Sequence, residues 1–135
     1  MVFKKILILI LILTVLGCTS TETAPEEIKD TETIAANNIP EKVFTLTGEN
    51  YKFILDGKES PELKVKEGDK VIIKFTNTAG LHNWILDEFN VATKQVKTGE
   101  SSSVEFIAYK RGTFEYYCSV GGHRFEGMKG NLIVE

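Results

Sequence analysis

From Lys42 onward the sequence consists of short apolar runs separated by turn residues, and this pattern limits the fold more than any other feature of the chain. The runs are at most seven residues long and rich in Val, Ile, Phe, Tyr and Thr: VFTLT, YKFILD, ELKVK, KVIIKFT, HNWILD, SVEFIA, TFEYYC and NLIVE. Pairs such as Asp56-Gly57 and Gly68-Asp69 between them are typical of tight turns. The pattern predicts about seven to eight β-strands, with at most one helical turn in DEFNVATKQ.

Alternation within the runs indicates which side chains face the interior. In TFEYYC, the side chains of Phe114, Tyr116 and Cys118 fall on one face of the predicted strand. Several short antiparallel strands, each with one polar face, predict two packed sheets, an all-β Greek-key β-sandwich. An open barrel is the alternative, because strand number alone does not separate the two architectures. In either case Cys118 is expected to point toward the apolar side.

Residues 1–17 have the layout of a secretory signal peptide. Lys4 and Lys5 precede an uninterrupted apolar run at residues 6–16, which is about half the ~20 residues that a membrane-spanning helix needs. The following VLGC resembles a bacterial lipobox, in which the cysteine is lipidated and becomes the first residue after cleavage. The resemblance implies that Cys18 anchors an exported protein, in the periplasm or on the outer face of the cytoplasmic membrane. Ordinary secretion is the alternative.

Composition divides the remainder into a linker and one domain. Residues 18–40 are rich in Thr and Glu and contain no aromatic residue, which predicts a flexible acidic linker behind the lipid. Residues 41–135 have the size of a single domain. The formal net charge of −3 becomes −5 if cleavage removes Lys4 and Lys5. No basic block is present, so nucleic acid is not an expected partner.

From Thr19 to Glu135, few residues carry soft or borderline metal-ligating groups. They are one cysteine, two histidines and one methionine: Cys118, His82, His123 and Met128. A thiolate, two imidazoles and a thioether form the ligand list of a blue-copper electron-transfer centre, with the methionine as a weak axial ligand. One loop can present three of them, because they are spaced as Cys-x4-His-x4-Met, while His82 comes from a separate strand.

Other chemistry uses the same residue types. Zinc accepts these ligands in a tetrahedral site, and a copper-binding protein of this kind could store or deliver the metal. Cys118 could also act as a nucleophile with His123 or His82 as its base. The sequence shows no strand-to-helix elbow that would lower the pKa of the thiol. A free exported thiol would be prone to oxidation, which favours a metal-bound role.

The sequence resembles the cupredoxins, the small blue-copper proteins. The resemblance covers roughly residues 44–135 and rests on PELKVKEGDKVIIKFTN, on HNW, and on GTFEYYCSVGGHRFEGMKGNLIVE. The ligand loop is similar to that of the rusticyanin and auracyanin branch, with a longer spacing between cysteine and histidine than in plastocyanin. The resemblance implies one type 1 copper ion, held by His82, Cys118, His123 and Met128.

The same resemblance assigns further roles. Asn83 and Ser119 match positions whose hydrogen bonds tie the two ligand segments together. The ring edge of His123 is the expected electron port, with Phe125 either at its apolar contact surface or packed over the copper. The implied protein is a monomeric electron carrier that docks transiently with a redox donor and acceptor, and copper delivery is the alternative. It is not expected to be an enzyme, because oxidases need additional histidines or a second cysteine in the loop.

Overall fold

The computed structural model describes residues 38–135, so the predictions for the signal peptide, for Cys18 and for most of the linker lie outside the described residues. Its regular secondary structure is almost entirely strand. The strands are β1 (Glu41–Glu49), β2 (Lys52–Leu55), β3 (Lys58–Glu59), β4 (Glu62–Val65), β5 (Lys70–Asn77), β6 (Leu81–His82), β7 (Ile85–Leu86), β8 (Val91–Ala92), β9 (Val96–Lys97), β10 (Ser101–Ile107), β11 (Gly112–Tyr117) and β12 (Lys129–Val134). Seven of them have four residues or more, in agreement with the predicted number.

The strands form two five-stranded sheets and one small two-stranded sheet. Sheet A has the order β10-β5-β1-β2-β3, sheet B has the order β4-β12-β11-β7-β8, and β6 pairs with β9. Neither large sheet closes on itself, so the β-sandwich is confirmed and the open barrel is wrong. A single 3₁₀ turn, Asp87–Phe89, lies in the segment where one helical turn was expected. In the described part of the chain, no helix is long and apolar enough to cross a membrane.

Two features of the strand pairing differ from the sequence prediction. The pairs β1–β5 and β4–β12 are parallel, although antiparallel pairing was expected throughout. A strand pattern reports which face is buried but not which distant strand lies alongside, so it does not contain this information. The predicted strand HNWILD is divided between β6, in the small sheet, and β7, in sheet B. The break matters, because it places His82 outside the two main sheets.

The core lies between the inner faces of sheets A and B. Phe53 of sheet A contacts Tyr116 of sheet B with ring centroids 5.4 Å apart, and Trp84 stacks on Tyr116 at 5.5 Å. The hydroxyl of Tyr116 donates a hydrogen bond of 2.5 Å to the carbonyl of Pro61, so this polar atom has a partner although its ring is fully buried. Cys118 is 1% exposed, which confirms that it faces the apolar interior with Tyr116.

Candidate metal centre

The segment between β11 and β12 folds back on itself and carries three of the four predicted ligands. The amide of Cys118 donates a hydrogen bond to the carbonyl of Met128 at 3.0 Å, and the amide of Met128 donates to the carbonyl of His123 at 2.9 Å. Gly127 has a φ of 102°, a backbone conformation that side chains other than glycine rarely adopt. Backbone hydrogen bonds and the conformation of Gly127 therefore define the path of the loop.

His82 reaches the site from β6, and a buried asparagine fixes its approach. Asn77, fully buried at the end of β5, donates through Nδ2 to the carbonyls of Gly80 and Val96, at 2.8 Å each. The first bond holds the turn before His82, and the second holds the strand that pairs with it. Sequence analysis missed Asn77, because an asparagine after a strand is also common in ordinary turns.

The two histidines and the cysteine come together in a small triangle. The Nδ1 atoms of His82 and His123 are 3.1 Å apart. The Sγ atom of Cys118 lies 3.8 Å from the Nδ1 of His82 and 3.6 Å from the Nδ1 of His123. Cys118 and His82 are buried, and His123 is half-buried. The three potential ligand atoms thus converge from two separate segments at the edge of the sandwich.

This triangle has the size that a metal ion requires. The point equidistant from three atoms with these separations lies about 2 Å from each, close to the 2.0–2.3 Å of metal bonds to histidine nitrogen and cysteine sulfur. One soft thiolate with two imidazoles in a plane is the arrangement found in blue-copper sites. The residues present therefore fit a copper ion, which His82, Cys118 and His123 would hold.

The electrostatics of His82 are consistent with a ligand role. Burial lowers the pKa of His82 and the neighbouring ring of His123 lowers it further, whereas a hydrogen bond with the backbone of Ala79 acts in the opposite direction. The net shift is downward, which favours the neutral imidazole. A neutral ring is the form that binds a metal, because the proton would otherwise occupy the coordinating nitrogen.

Met128 is fully buried at the end of the ligand loop. Its side chain depends on the absence of one at Gly48, because a Cβ there would lie 3.2 Å from the Met128 Cε and 2.6 Å from the ring of Phe75. Contacts that short require a neighbour to move. Gly48 therefore leaves space for the end of the Met128 side chain. Coordination through the sulfur of Met128 stays a prediction.

Asn83 and Ser119 connect the two segments that carry the ligands. Asn83, which follows His82, is 4% exposed and accepts a 2.9 Å hydrogen bond from the backbone amide of Ser119. Its Nδ2 also donates to the Ser119 Oγ at 3.0 Å. Because Asn83 follows His82 and Ser119 follows Cys118, these bonds limit how far the two ligands can separate.

A surface depression opens beside the two histidine rings. Its lining residues include Tyr51, Leu81, Val120, His82 and His123. Phe125, which sequence analysis placed at the electron port or over the copper, does not line it and is 93% exposed. This exposure excludes packing of Phe125 over the metal, and its part in a contact surface stays a prediction. Sequence analysis missed Tyr51, which lies in the turn between β1 and β2.

We expect replacement of Asn83 by alanine to lower the free energy of unfolding of the metal-free protein by about 1–3 kcal/mol, because it leaves the amide of Ser119 without its partner. Ser119→Ala is the matched control: it removes the hydroxyl but keeps the amide-to-Asn83 bond, so its effect is expected to be smaller. Urea unfolding of both variants measures the difference. Equal stability of Asn83→Ala and the unmodified protein would show that the hydrogen bonds between Asn83 and Ser119 contribute little to folding stability.

Comparison with known proteins agrees with the geometry. Residues 58–135 match the family model described as copper binding proteins, plastocyanin/azurin family. Auracyanin A, described as a blue copper protein from Chloroflexus aurantiacus, is 25% identical, with a TM-score of 0.59 over 71% of this chain and 100% of that one. Rusticyanin from Thiobacillus ferrooxidans is 22% identical, with a TM-score of 0.60 over 70% of this chain and 77% of that one.

These structural likenesses show the same fold, and the family model, which spans more than half of the chain, includes Cys118, His123 and Met128 as well as His82. The model and the His-Cys-His triangle lead to the same assignment. The chain therefore belongs to the plastocyanin/azurin family of copper-binding proteins, the cupredoxins, and its site is that of one type 1 copper ion.

Proposed function

We propose that the protein is an exported electron carrier that passes single electrons between membrane-associated redox partners, cycling one copper ion between Cu(I) and Cu(II). The observation that carries the proposal is the triangle formed by Cys118, His82 and His123, whose ligand atoms are 3.1–3.8 Å apart. Bound copper supplies a one-electron couple there.

The chain supports electron transfer by holding the ligand segments in place with hydrogen bonds of its own. Asn83 and Ser119 join the two ligand segments, and Asn77 holds the turn in front of His82. A thiolate favours Cu(I), whereas imidazole accepts both oxidation states. Because the backbone holds a compromise between these preferences, a change of charge requires little rearrangement, and small rearrangement favours fast electron transfer.

We place the electron port at the half-buried ring of His123. Exposed apolar side chains of Tyr51 and Leu81 lie beside it in the same depression. A small apolar surface around a redox group suits short-lived docking, since weak electron-transfer encounters bury little area. Glu115 pairs with both Arg124, the residue after His123, and Lys129, so this surface carries charges of both signs.

A carrier fits the number of histidines better than an oxidase does. The sequence contains only two histidines, and the triangle includes both of them. A further copper centre of the kind that oxidases use would need additional imidazoles. We therefore propose that His82, Cys118, His123 and Met128 hold the one copper of an electron carrier, with no chemistry performed on a small substrate.

We further propose that Cys18 carries a lipid and that the domain is displayed in the periplasm or on the outer face of the cytoplasmic membrane. Support comes from the sequence, where Lys4 and Lys5 precede the apolar run before VLGC. Residues 18–40 would then act as a tether, long enough for the domain to move several nanometres from the membrane surface. The partners we propose are redox proteins in or on that membrane.

Titration of the purified domain with Cu(II) is expected to give an intense visible absorption band that saturates at one copper per chain. Cys118→Ser is expected to abolish the band, because the colour arises from charge transfer between the thiolate sulfur and copper. Optical titration with metal analysis measures both. A colourless one-to-one complex of the unmodified domain would contradict the proposal and indicate a different kind of site.

Met128→Ala provides the matched comparison for Cys118→Ser. It removes a weak axial ligand and leaves the planar ligands in place, so copper and the intense band are expected to remain while the reduction potential shifts. Spectroelectrochemistry of the two variants separates these roles. Loss of all copper from Met128→Ala would show that the thioether is a principal ligand.

Redox cycling distinguishes an electron carrier from a copper-delivery protein. We expect the copper-loaded domain to pass repeatedly between its coloured and colourless states in the presence of a Cu(I) chelator, with metal loss that is slow compared with each cycle, because hydrogen bonds hold the ligand segments in place. The fraction of copper retained after each cycle is the measurement. Complete transfer to the chelator within the first reduction would favour delivery.

The predicted anchor is tested by Cys18→Ala in the full-length chain. We expect the unmodified protein to fractionate with membranes and the variant to lose that association, since more than one acyl chain on the same cysteine gives stable anchoring. Lys42→Ala, outside the predicted signal, controls for effects of substitution in general. Equal membrane association of the Cys18→Ala variant and the unmodified protein would exclude lipidation as the cause.

A further inference from the structure

The turn between β1 and β2 contains an unfavourable residue beside the metal centre. Its two central residues, Asn50 and Tyr51, have φ values of 47° and 61°. Two-residue hairpin turns with positive φ at both positions prefer Asn-Gly, because glycine lacks the Cβ that crowds the backbone in this conformation. Asn50 agrees with this preference. Tyr51 occupies the position where glycine is favoured.

The next hairpin of the same sheet shows which residues the backbone geometry of such a turn favours. The two residues between β2 and β3 are Asp56 and Gly57, with φ values of 51° and 76°. That turn has the same length and the same signs of φ, and glycine stands at its second position. The geometry of a two-residue turn therefore does not explain a tyrosine at position 51, and another constraint has to act there.

The ring of Tyr51 lies against the ring of His123. Their centroids are 4.8 Å apart with an interplanar angle of 70°, an edge-type aromatic contact. Tyr51 is 47% exposed. It belongs to a hairpin of sheet A, whereas His123 belongs to the loop between two strands of sheet B, so the contact joins parts of the chain that are far apart in sequence.

The ring of His123 also lies at a tilt to the ring of His82, with centroids 4.8 Å apart, and its Nδ1 faces the site. Its Nδ1 lies 3.1 Å from the Nδ1 of His82 and 3.6 Å from the Sγ of Cys118. The backbone of His123 is held by hydrogen bonds to Val120 and Met128, which do not fix rotation of the side chain. An aromatic ring packed against the imidazole supplies that restraint.

We propose that Tyr51 is a positioning residue, which holds the imidazole of His123 in the orientation that directs its Nδ1 toward Cys118 and His82. The left-handed conformation at position 51 is retained because a ring placed there reaches His123. The inference rests on the proposed role of His123 as a copper ligand. Tyr51 is not a proposed ligand, but through His123 it would affect how firmly the metal is retained.

The test compares copper release from Tyr51→Gly, Tyr51→Phe and the unmodified protein. Each is loaded with one copper, reduced, and mixed with excess bicinchoninate, and the rate of Cu(I) transfer is followed. We expect Tyr51→Gly to release copper roughly three- to tenfold faster, the range that corresponds to one aromatic edge contact. Tyr51→Phe keeps the ring and is expected to match the unmodified protein.

Two further measurements separate positioning from a general loss of structure. Because glycine relieves the positive φ, metal-free Tyr51→Gly is expected to unfold at the same or a higher urea concentration. The electron paramagnetic resonance spectrum of its Cu(II) form is expected to change, as it reports the ligand geometry directly. Asp56→Gly makes an equivalent substitution in the neighbouring turn, away from His123, and is expected to alter neither release nor spectrum.

The proposal is overturned if Tyr51→Gly releases copper at the unmodified rate with an unchanged spectrum. It is also overturned if Asp56→Gly accelerates release equally, which would attribute the effect to a loosened sheet, or if Tyr51→Phe behaves as Tyr51→Gly does. Failure of the unmodified protein to bind copper would overturn the proposed function together with this inference. If the unmodified protein binds copper and Tyr51→Gly matches it in copper release and spectrum, only the proposed role of Tyr51 is overturned.

Discussion

The hydrogen bonds between Asn83 and Ser119 are the constraint on which the metal centre depends. The ligands lie in segments of different sheets: His82 ends β6 in the small sheet, and Cys118 follows β11 in sheet B. Pairing of Tyr117 with Ile85 brings the two segments together, and the bonds of Asn83 and Ser119 join them beside the ligands themselves. Asn83 is almost fully buried, so bonds to it meet less competition from water than bonds on an open surface. They therefore help to keep the Cys118 sulfur and the His82 Nδ1 close, at 3.8 Å.

Much of the fold and the ligand set could be predicted because the relevant signals are local. Alternation in TFEYYC placed Cys118 on the buried face, and its 1% exposure agrees with that prediction. The Cys-x4-His-x4-Met spacing identified the loop, since a short loop between paired strands keeps its residues together. Local signals also have a limit: the break of HNWILD into two strands of different sheets was not visible in a run that reads as one strand.

Long-range contacts account for what the sequence did not predict. The parallel pairing of β1 with β5 and the bonds from Asn77 to Gly80 and Val96 depend on which segments meet, and one-dimensional patterns do not record that. Tyr51 is the clearest example of a residue whose contact the sequence did not predict, because its sequence context indicated only a turn. Its conflict with turn preference became informative once the ring of His123 was found beside it, which agrees with the expectation that local rules fail at functional sites.

The sandwich and the metal centre have opposite requirements, and the structure separates them in space. Phe53, Trp84 and Tyr116 form a packed aromatic core that joins the two sheets, and this core tolerates no polar opening. An electron carrier needs one ligand near the surface, because electron transfer weakens steeply with distance from the partner. The long loop after β11 meets both needs: Cys118 stays with the core, while His123 extends to the depression. A contact that steadies His123 must then come from outside the core, and the β1–β2 hairpin is the element that supplies it.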